Sequence, residues 1–214
     1  MPALPPALFD LAGAHHLTAS GALHLAPDEI PGLQTLVLLS PAEPGFWDHF
    51  TATPEYLDGT RDPMNRWSAR VITAMADALG ATPLFPFSGP PWQPFTNWAR
   101  RSARAWPSPV GLLVHDAAGL MISYRGALAF RDRFALPPSG PRPCDTCPDQ
   151  PCLRACPVDA LRPDAYNVPA CKYDLDRPGN DCRARGCAVR RACPLSQSYG
   201  RREEQSAFHM GYFG

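Results

Sequence analysis

Every cysteine of this chain lies between residues 144 and 193. They form two groups of four, Cys144, Cys147, Cys152 and Cys156, then Cys171, Cys182, Cys187 and Cys193, and a proline follows the last member of each. So dense a set of thiols limits the C-terminal part to three designs: a disulfide framework, zinc sites, or iron-sulfur clusters. The N-terminal stretch MPALPPALFDLAGAHHLTAS has no cation and no unbroken apolar run, so it does not read as an export signal. No later segment has an apolar run long enough for a membrane span. The expected location is the cytoplasm, where thiols stay reduced and clustered cysteines serve metals or redox chemistry rather than disulfides.

A [4Fe-4S] cluster needs four converging thiolates, and a tight loop supplies three before its path leaves the site. In two-cluster ferredoxins the cysteine before proline crosses to the other cluster. Applied to this spacing, one cluster takes Cys144, Cys147, Cys152 and Cys193, and the other takes Cys156, Cys171, Cys182 and Cys187. The competing design is a pair of four-thiolate zinc sites. Zinc usually takes two close cysteine pairs per site, and only Cys144 and Cys147 are spaced C-x2-C; the double Cys-Pro ending has no role there. The spacing departs from the bacterial C-x2-C-x2-C-x3-C-P run in both groups, and most in the second, where ten, four and five residues intervene.

All five tryptophans precede residue 139 and all eight cysteines follow residue 140. The seam LPPSGPRP, 136–143, carries prolines and a glycine that break any regular element. The expected organisation is an α+β domain over 1–139 that binds a cofactor or partner, a two-cluster domain over 140–196, and a tail over 197–214 whose aromatic residues pack back on the body. Within the first domain, GALHL (21–25) and QTLVLLS (34–40) read as strands, and GFWDHF (45–50) as the start of a short helix. Asp62-Pro63 opens a helix with Trp67, Val71, Ile72, Met75 and Leu79 on one face and Gly80 at its end. TPLFPF (82–87) suggests an edge strand and PFTNWARRSARA (94–105) a helix. VGLLVHDAAGLMISYRGALAF (110–130) predicts a β-hairpin turning at residues 116–119.

A formal net charge of zero hides an asymmetry: seven carboxylates and no Lys or Arg precede Arg61. The excess of cations therefore lies later. Arg183, Arg185, Arg190, Arg191, Arg201 and Arg202 crowd the second cysteine group, a pattern that suits either a solvated face or the approach of an acidic redox partner. Neutral overall charge and the lack of a recognisable binding module argue against nucleic acid. No glycine-rich dinucleotide fingerprint is present, which argues against direct use of a nicotinamide cofactor.

Three further residues are candidates for binding a cofactor. His115 lines a pocket or hydrogen-bonds at a turn. Tyr124 donates to a cofactor or fills the core. Arg125 grips a carboxamide or phosphate with its planar fork, or pairs with a carboxylate. The aromatic run Phe85, Phe87, Trp92, Phe95 and Trp98 reads as core or as the wall of a tetrapyrrole pocket.

CDTCPDQPCLRACPVDAL, then Cys171 with Tyr173 two residues on, then three more cysteines ending in Cys-Pro, resembles the two-cluster ferredoxin module of epoxyqueuosine reductases and corrinoid reductive dehalogenases. GLLVHDAAGLMISYRGAL resembles the paired strands upstream of that module and the His-Pro-x-x-Gly…Arg-Gly segment of the cobalamin-processing, decyanase-like family. The resemblance spans residues 110–196. It implies a nitroreductase-like N-terminal domain followed by a bacterial-ferredoxin-like domain, with two [4Fe-4S] clusters passing single electrons to a base-off corrinoid, or less expectedly to a flavin. FPFSGPPW (85–92) holds no acid where the epoxyqueuosine reductases carry their proton donor, which argues against queuosine chemistry. His115-Asp116 replaces His-Pro. No catalytic residue is assigned. Two other functions stand beside this one: a ferredoxin-type electron carrier serving a partner enzyme, and a zinc-stabilised interaction protein.

Overall fold

The structure is a computed structural model that describes residues 1–213. It is mixed α+β, and its chain divides into two compact units, each discontinuous in sequence. The first contains residues 1–104 and 123–139; the second contains residues 105–122 and 140–214. The segment 105–122, expected within an N-terminal domain ending at 139, thus folds with the cysteines.

The first unit is built on a four-stranded antiparallel sheet in the order β1 (Leu17–His24), β2 (Thr35–Pro41), β6 (Gly126–Phe130), β3 (Thr82–Leu84). Strand β2 is buried at every position, as its unbroken apolar run requires, because it has a neighbour on both edges and packing on both faces. Helices α1 (Pro6–Ala14), α2 (Phe46–Thr51), α3 (Pro54–Leu57), α4 (Pro63–Leu79) and α5 (Phe95–Arg101) complete the unit. Leu8, Leu36, Leu38, Leu39, Phe46, Phe50, Trp67, Ile72, Met75 and Trp98 form its fully buried core.

Helix α4 follows its periodicity: Trp67, Val71, Ile72 and Met75 are buried, and Gly80 terminates it with φ +63°. Its start is different from the expectation. Asp62 takes the left-handed region at φ +53° and makes no side-chain cap, so Pro63 alone sets the first turn. The aromatic run from Phe85 to Trp98 divides. Phe85 stacks on Phe87 at 5.2 Å, Phe95 and Trp98 are buried, and Trp92 is exposed. Trp98 Nε1 donates to Glu29 Oε1 at 2.6 Å, and Arg101 grips the same carboxylate at 2.7 Å.

Residues 110–130 do not form a hairpin. Strand β5 (Leu113–His115) pairs backward in sequence with β4 (Ala105–Pro107), and β6 joins the larger sheet between β2 and β3. The physical reason is burial: all five residues of β6 are buried, which demands a neighbour along each edge, and β5 offers only one.

In the second unit the cysteine region is built from short pieces. Two 3-10 turns, Pro143–Thr146 and Pro151–Arg154, precede α6 (Val168–Leu175), α7 (Cys182–Arg185), α8 (Ala188–Ala192), α9 (Pro194–Ser198) and α10 (Glu203–Gly211). Prolines at the first turn of both 3-10 turns, α6 and α9 each remove one amide that the start would otherwise leave unpaired. Helix α10 packs on α7, and Phe213 stacks on Tyr166 at 6.0 Å.

Candidate metal centre

The core of the second unit is where apolar and sulfur chemistry meet. Val110, Val114, Leu120 and Val189 are buried with Cys152 and Cys193, and Cys144, Cys156 and Cys187 pack against them. Cys144, Cys147, Cys152 and Cys193 line one cavity of about 370 Å³. Val114, Leu120, Leu195 and several prolines supply most of the remaining wall. Cys193 reaches this cavity although Cys156, Cys171, Cys182 and Cys187 intervene in sequence. It does so because α8 lies against the 3-10 turn that carries Cys152, and Cys193 follows that helix directly.

Burial pushes the Cys144 thiol up, and the charges of Cys152, Cys193 and Cys147 push it further. Cys152 is raised by burial first, then by Cys193 and Cys147. Burial and sulfur neighbours thus both resist ionisation of Cys144 and Cys152. A cationic centre among them would reverse that sign, since a metal favours the thiolate. Among the described residues, no three His, Cys, Asp or Glu side chains are grouped so as to hold a metal ion.

The other thiols are arranged around α6, α7 and α8. Tyr166 donates its hydroxyl to Cys171 Sγ at 3.4 Å, and its own ionisation is pushed up by burial, then by that bond and the charges of Cys171 and Cys187. Burial raises the Cys182 thiol, opposed by a bond from the Ala188 amide and reinforced by Cys187. Cys171, Cys182 and Cys187 are thus electrostatically linked, directly or through Tyr166. Cys156 accepts from the Ala160 amide at 3.3 Å. Arg190, half-buried on α8, feels Cys187 and Tyr166, and donates to the Leu120 carbonyl.

Segment 105–122 closes over the four-cysteine cavity. Ser108, Pro109, Val114, Asp116 and Leu120 all contribute to its wall. Gly119, at φ +55°, comes so near α9 that a Cβ there would stand 2.5 Å from the Ser196 nitrogen. Leu120 N–H donates to Ser196 Oγ at 2.9 Å. Sequence reasoning missed this role. The alternating pattern that suggested a hairpin identifies an extended segment but not the surface that it covers.

The candidate cofactor-binding residues separate. His115 lies in the second unit, 3% exposed, and its Nδ1 accepts from the amides of Ala117 at 3.1 Å and Ala118 at 3.2 Å. Those bonds hold the turn that carries Asp116, whose Oδ1 lies 3.1 Å from the same ring nitrogen. Tyr124 and Arg125 lie in the first unit. Arg125 is buried, with Nη2 donating to Asn65 Oδ1 at 2.7 Å and Nε to Ser68 Oγ at 3.1 Å, both on α4. Comparison with protein-family models, with curated proteins and with solved structures finds no match.

Proposed function

We propose that the chain is an iron-sulfur redox protein whose second unit holds two [4Fe-4S] clusters. The observation that carries this reading is the meeting of Cys193 with Cys144, Cys147 and Cys152 around one largely apolar cavity. A cubane cluster needs four thiolates, which two-cluster ferredoxins take as three from one loop and a fourth from a distant Cys-Pro, and this donor set has that character. The first cluster takes those four thiols. The second takes Cys171, Cys182 and Cys187 with Cys156, whose Cys-Pro step repeats the same design. When bound, the clusters supply one-electron transfer. The chain's own part is to hold the thiolates, exclude water with Val114, Leu120, Leu195 and the surrounding prolines, and place Arg190 beside Cys187 as a compensating charge.

In this reading the electrons pass to a cofactor held by the first unit, for which the resemblance nominates a base-off corrinoid in a nitroreductase-like fold. A second reading is a ferredoxin-type carrier that delivers electrons to a partner enzyme. The engagement of Arg125 with Asn65 and Ser68 favours it, because a guanidinium bonded within the core has fewer donors left for a cofactor.

Anaerobic assembly with iron and sulfide, followed by metal and acid-labile sulfide analysis, tests the clusters. Iron and sulfide for two clusters, with a paramagnetic signal on one-electron reduction, is the expected result; zinc without sulfide overturns it. Titrating cob(II)alamin into the assembled protein then separates the acceptors. A base-off cobalt signal at stoichiometric protein supports the corrinoid reading, and an unchanged signal leaves the carrier.

A further inference from the structure

The cavity wall contains a buried polar side chain whose chemistry is unspent. Ser108 is 6% exposed, and its hydroxyl has no hydrogen-bond partner among the described residues. Its backbone is fully committed: the amide donates to the Leu112 carbonyl at 2.8 Å, and the carbonyl accepts from the Gly111 amide at 3.0 Å. This tight turn, Ser108-Pro109-Val110-Gly111, needs glycine at its end. Gly111 has φ +76°, and a Cβ there would stand 2.6 Å from the Arg162 carbonyl oxygen. The serine is therefore fixed by its backbone at the cavity edge, with only Oγ unassigned.

Buried hydroxyls in folded proteins are nearly always hydrogen-bonded, so an orphan on a residue of the cavity wall points to a partner supplied from that cavity. The other polar wall residues are poor candidates for meeting a sulfur acceptor. Asp116 is engaged at the turn, its Oδ1 3.1 Å from His115 Nδ1. Thr146 donates to the Pro143 carbonyl at 3.4 Å, and Gln150 is half-exposed. Four thiols share the wall with Ser108, and their sulfurs, once ionised on a metal, accept hydrogen bonds.

We infer that the Ser108 hydroxyl donates a hydrogen bond to the sulfurs of the cluster held by Cys144, Cys147, Cys152 and Cys193, and so sets that cluster's reduction potential. The inference rests on the two-cluster reading. Ser108 is a positioning and tuning residue, not a ligand. Reduction adds negative charge to the cluster, and a donor aimed at its sulfurs stabilises the reduced form, which raises the potential.

The test is a redox titration of the assembled full-length protein, followed by electron paramagnetic resonance, for the wild type and for Ser108→Ala and Ser108→Thr. Cys193→Ser identifies which signal belongs to this cluster. Ser108→Ala is expected to lower the potential of that signal alone, and Ser108→Thr, which keeps a hydroxyl, to restore most of the shift. Equal potentials in wild type and Ser108→Ala, with both clusters present at full occupancy, overturn the inference while leaving the two-cluster reading intact. An equal shift in both signals also overturns it, since that is the mark of a general structural change. Absence of iron and sulfide from the wild type overturns the reading and the inference together.

Discussion

The Leu120 amide donates to the Ser196 hydroxyl at 2.9 Å, across a sequence separation of 76 residues. This bond joins the segment before the cysteines to the helix directly after the last of them. Ser196→Ala leaves a buried amide without its acceptor, which costs about 1–3 kcal/mol. Gly119→Val adds a left-handed β-branched residue and a Cβ where the Ser196 nitrogen leaves no room, and should cost about 2 kcal/mol or more. Chemical denaturation of the variants checks both values, with the larger loss expected for Gly119→Val.

The two proposed ligand sets make separable predictions. Cys193→Ser should remove the cluster that Cys144→Ser also removes, and Cys171→Ser should remove the other. Each single variant is expected to keep roughly half of the iron and sulfide, as one cluster of two. The double variant Cys144→Ser/Cys193→Ser should lose no more than either single one. Iron and sulfide analysis of the purified variants reads this directly.

The first unit should lose stability in mild acid. Burial lowers the His49 pKa, helped by His16, His15 and Arg70, and burial and Arg70 lower that of His15. Both start from an ordinary value of 6.5. Above that value both rings are neutral whether the chain is folded or not. Below it the unfolded chain binds protons that the folded unit resists, so stability falls as pH drops from 6.5 toward the lowered folded values. His49 lies against Trp67, with ring centroids 6.2 Å apart, which makes tryptophan fluorescence a suitable probe. Denaturation midpoints across that pH range should fall less steeply for His49→Gln than for the wild type.

Arg125→Met tests whether that arginine serves the fold. It removes bonds to Asn65 and Ser68 within a buried site, and a loss of about 2 kcal/mol is expected. Denaturation should register the change, while iron content and the potentials of both clusters stay at wild-type values.

Much of the first unit is legible in the sequence because its signals are local. The three-and-four spacing of Trp67, Val71, Ile72 and Met75 marks α4, and the apolar run Leu36, Val37, Leu38 and Leu39 marks a strand buried on both faces. Residues 110–130 carry an equally clear extended pattern, yet strand partners are chosen by burial and edge supply, which no short window contains. The same limit applies at the cavity. Cysteine spacing and the Cys-Pro endings suggest which thiols belong together, and Cys193 does line a cavity with Cys144, Cys147 and Cys152. Ser108 carries no such signal. A serine before proline reads as a turn, and only the three-dimensional placement shows that its hydroxyl is buried in a sulfur-lined wall.

The interleaving of the two units has a practical consequence for dissecting the molecule. Each is assembled from two stretches of chain, so a cut at residue 139 would deprive the cysteine-bearing part of its Ala105–Ile122 segment and leave that segment stranded on the other fragment. Neither fragment would be a complete folding module. A transplantable version of the C-terminal unit would instead require rewiring: Ala105–Ile122 spliced through a new linker onto Gly140, with Ser123–Ser139 supplied to the first unit by a second linker.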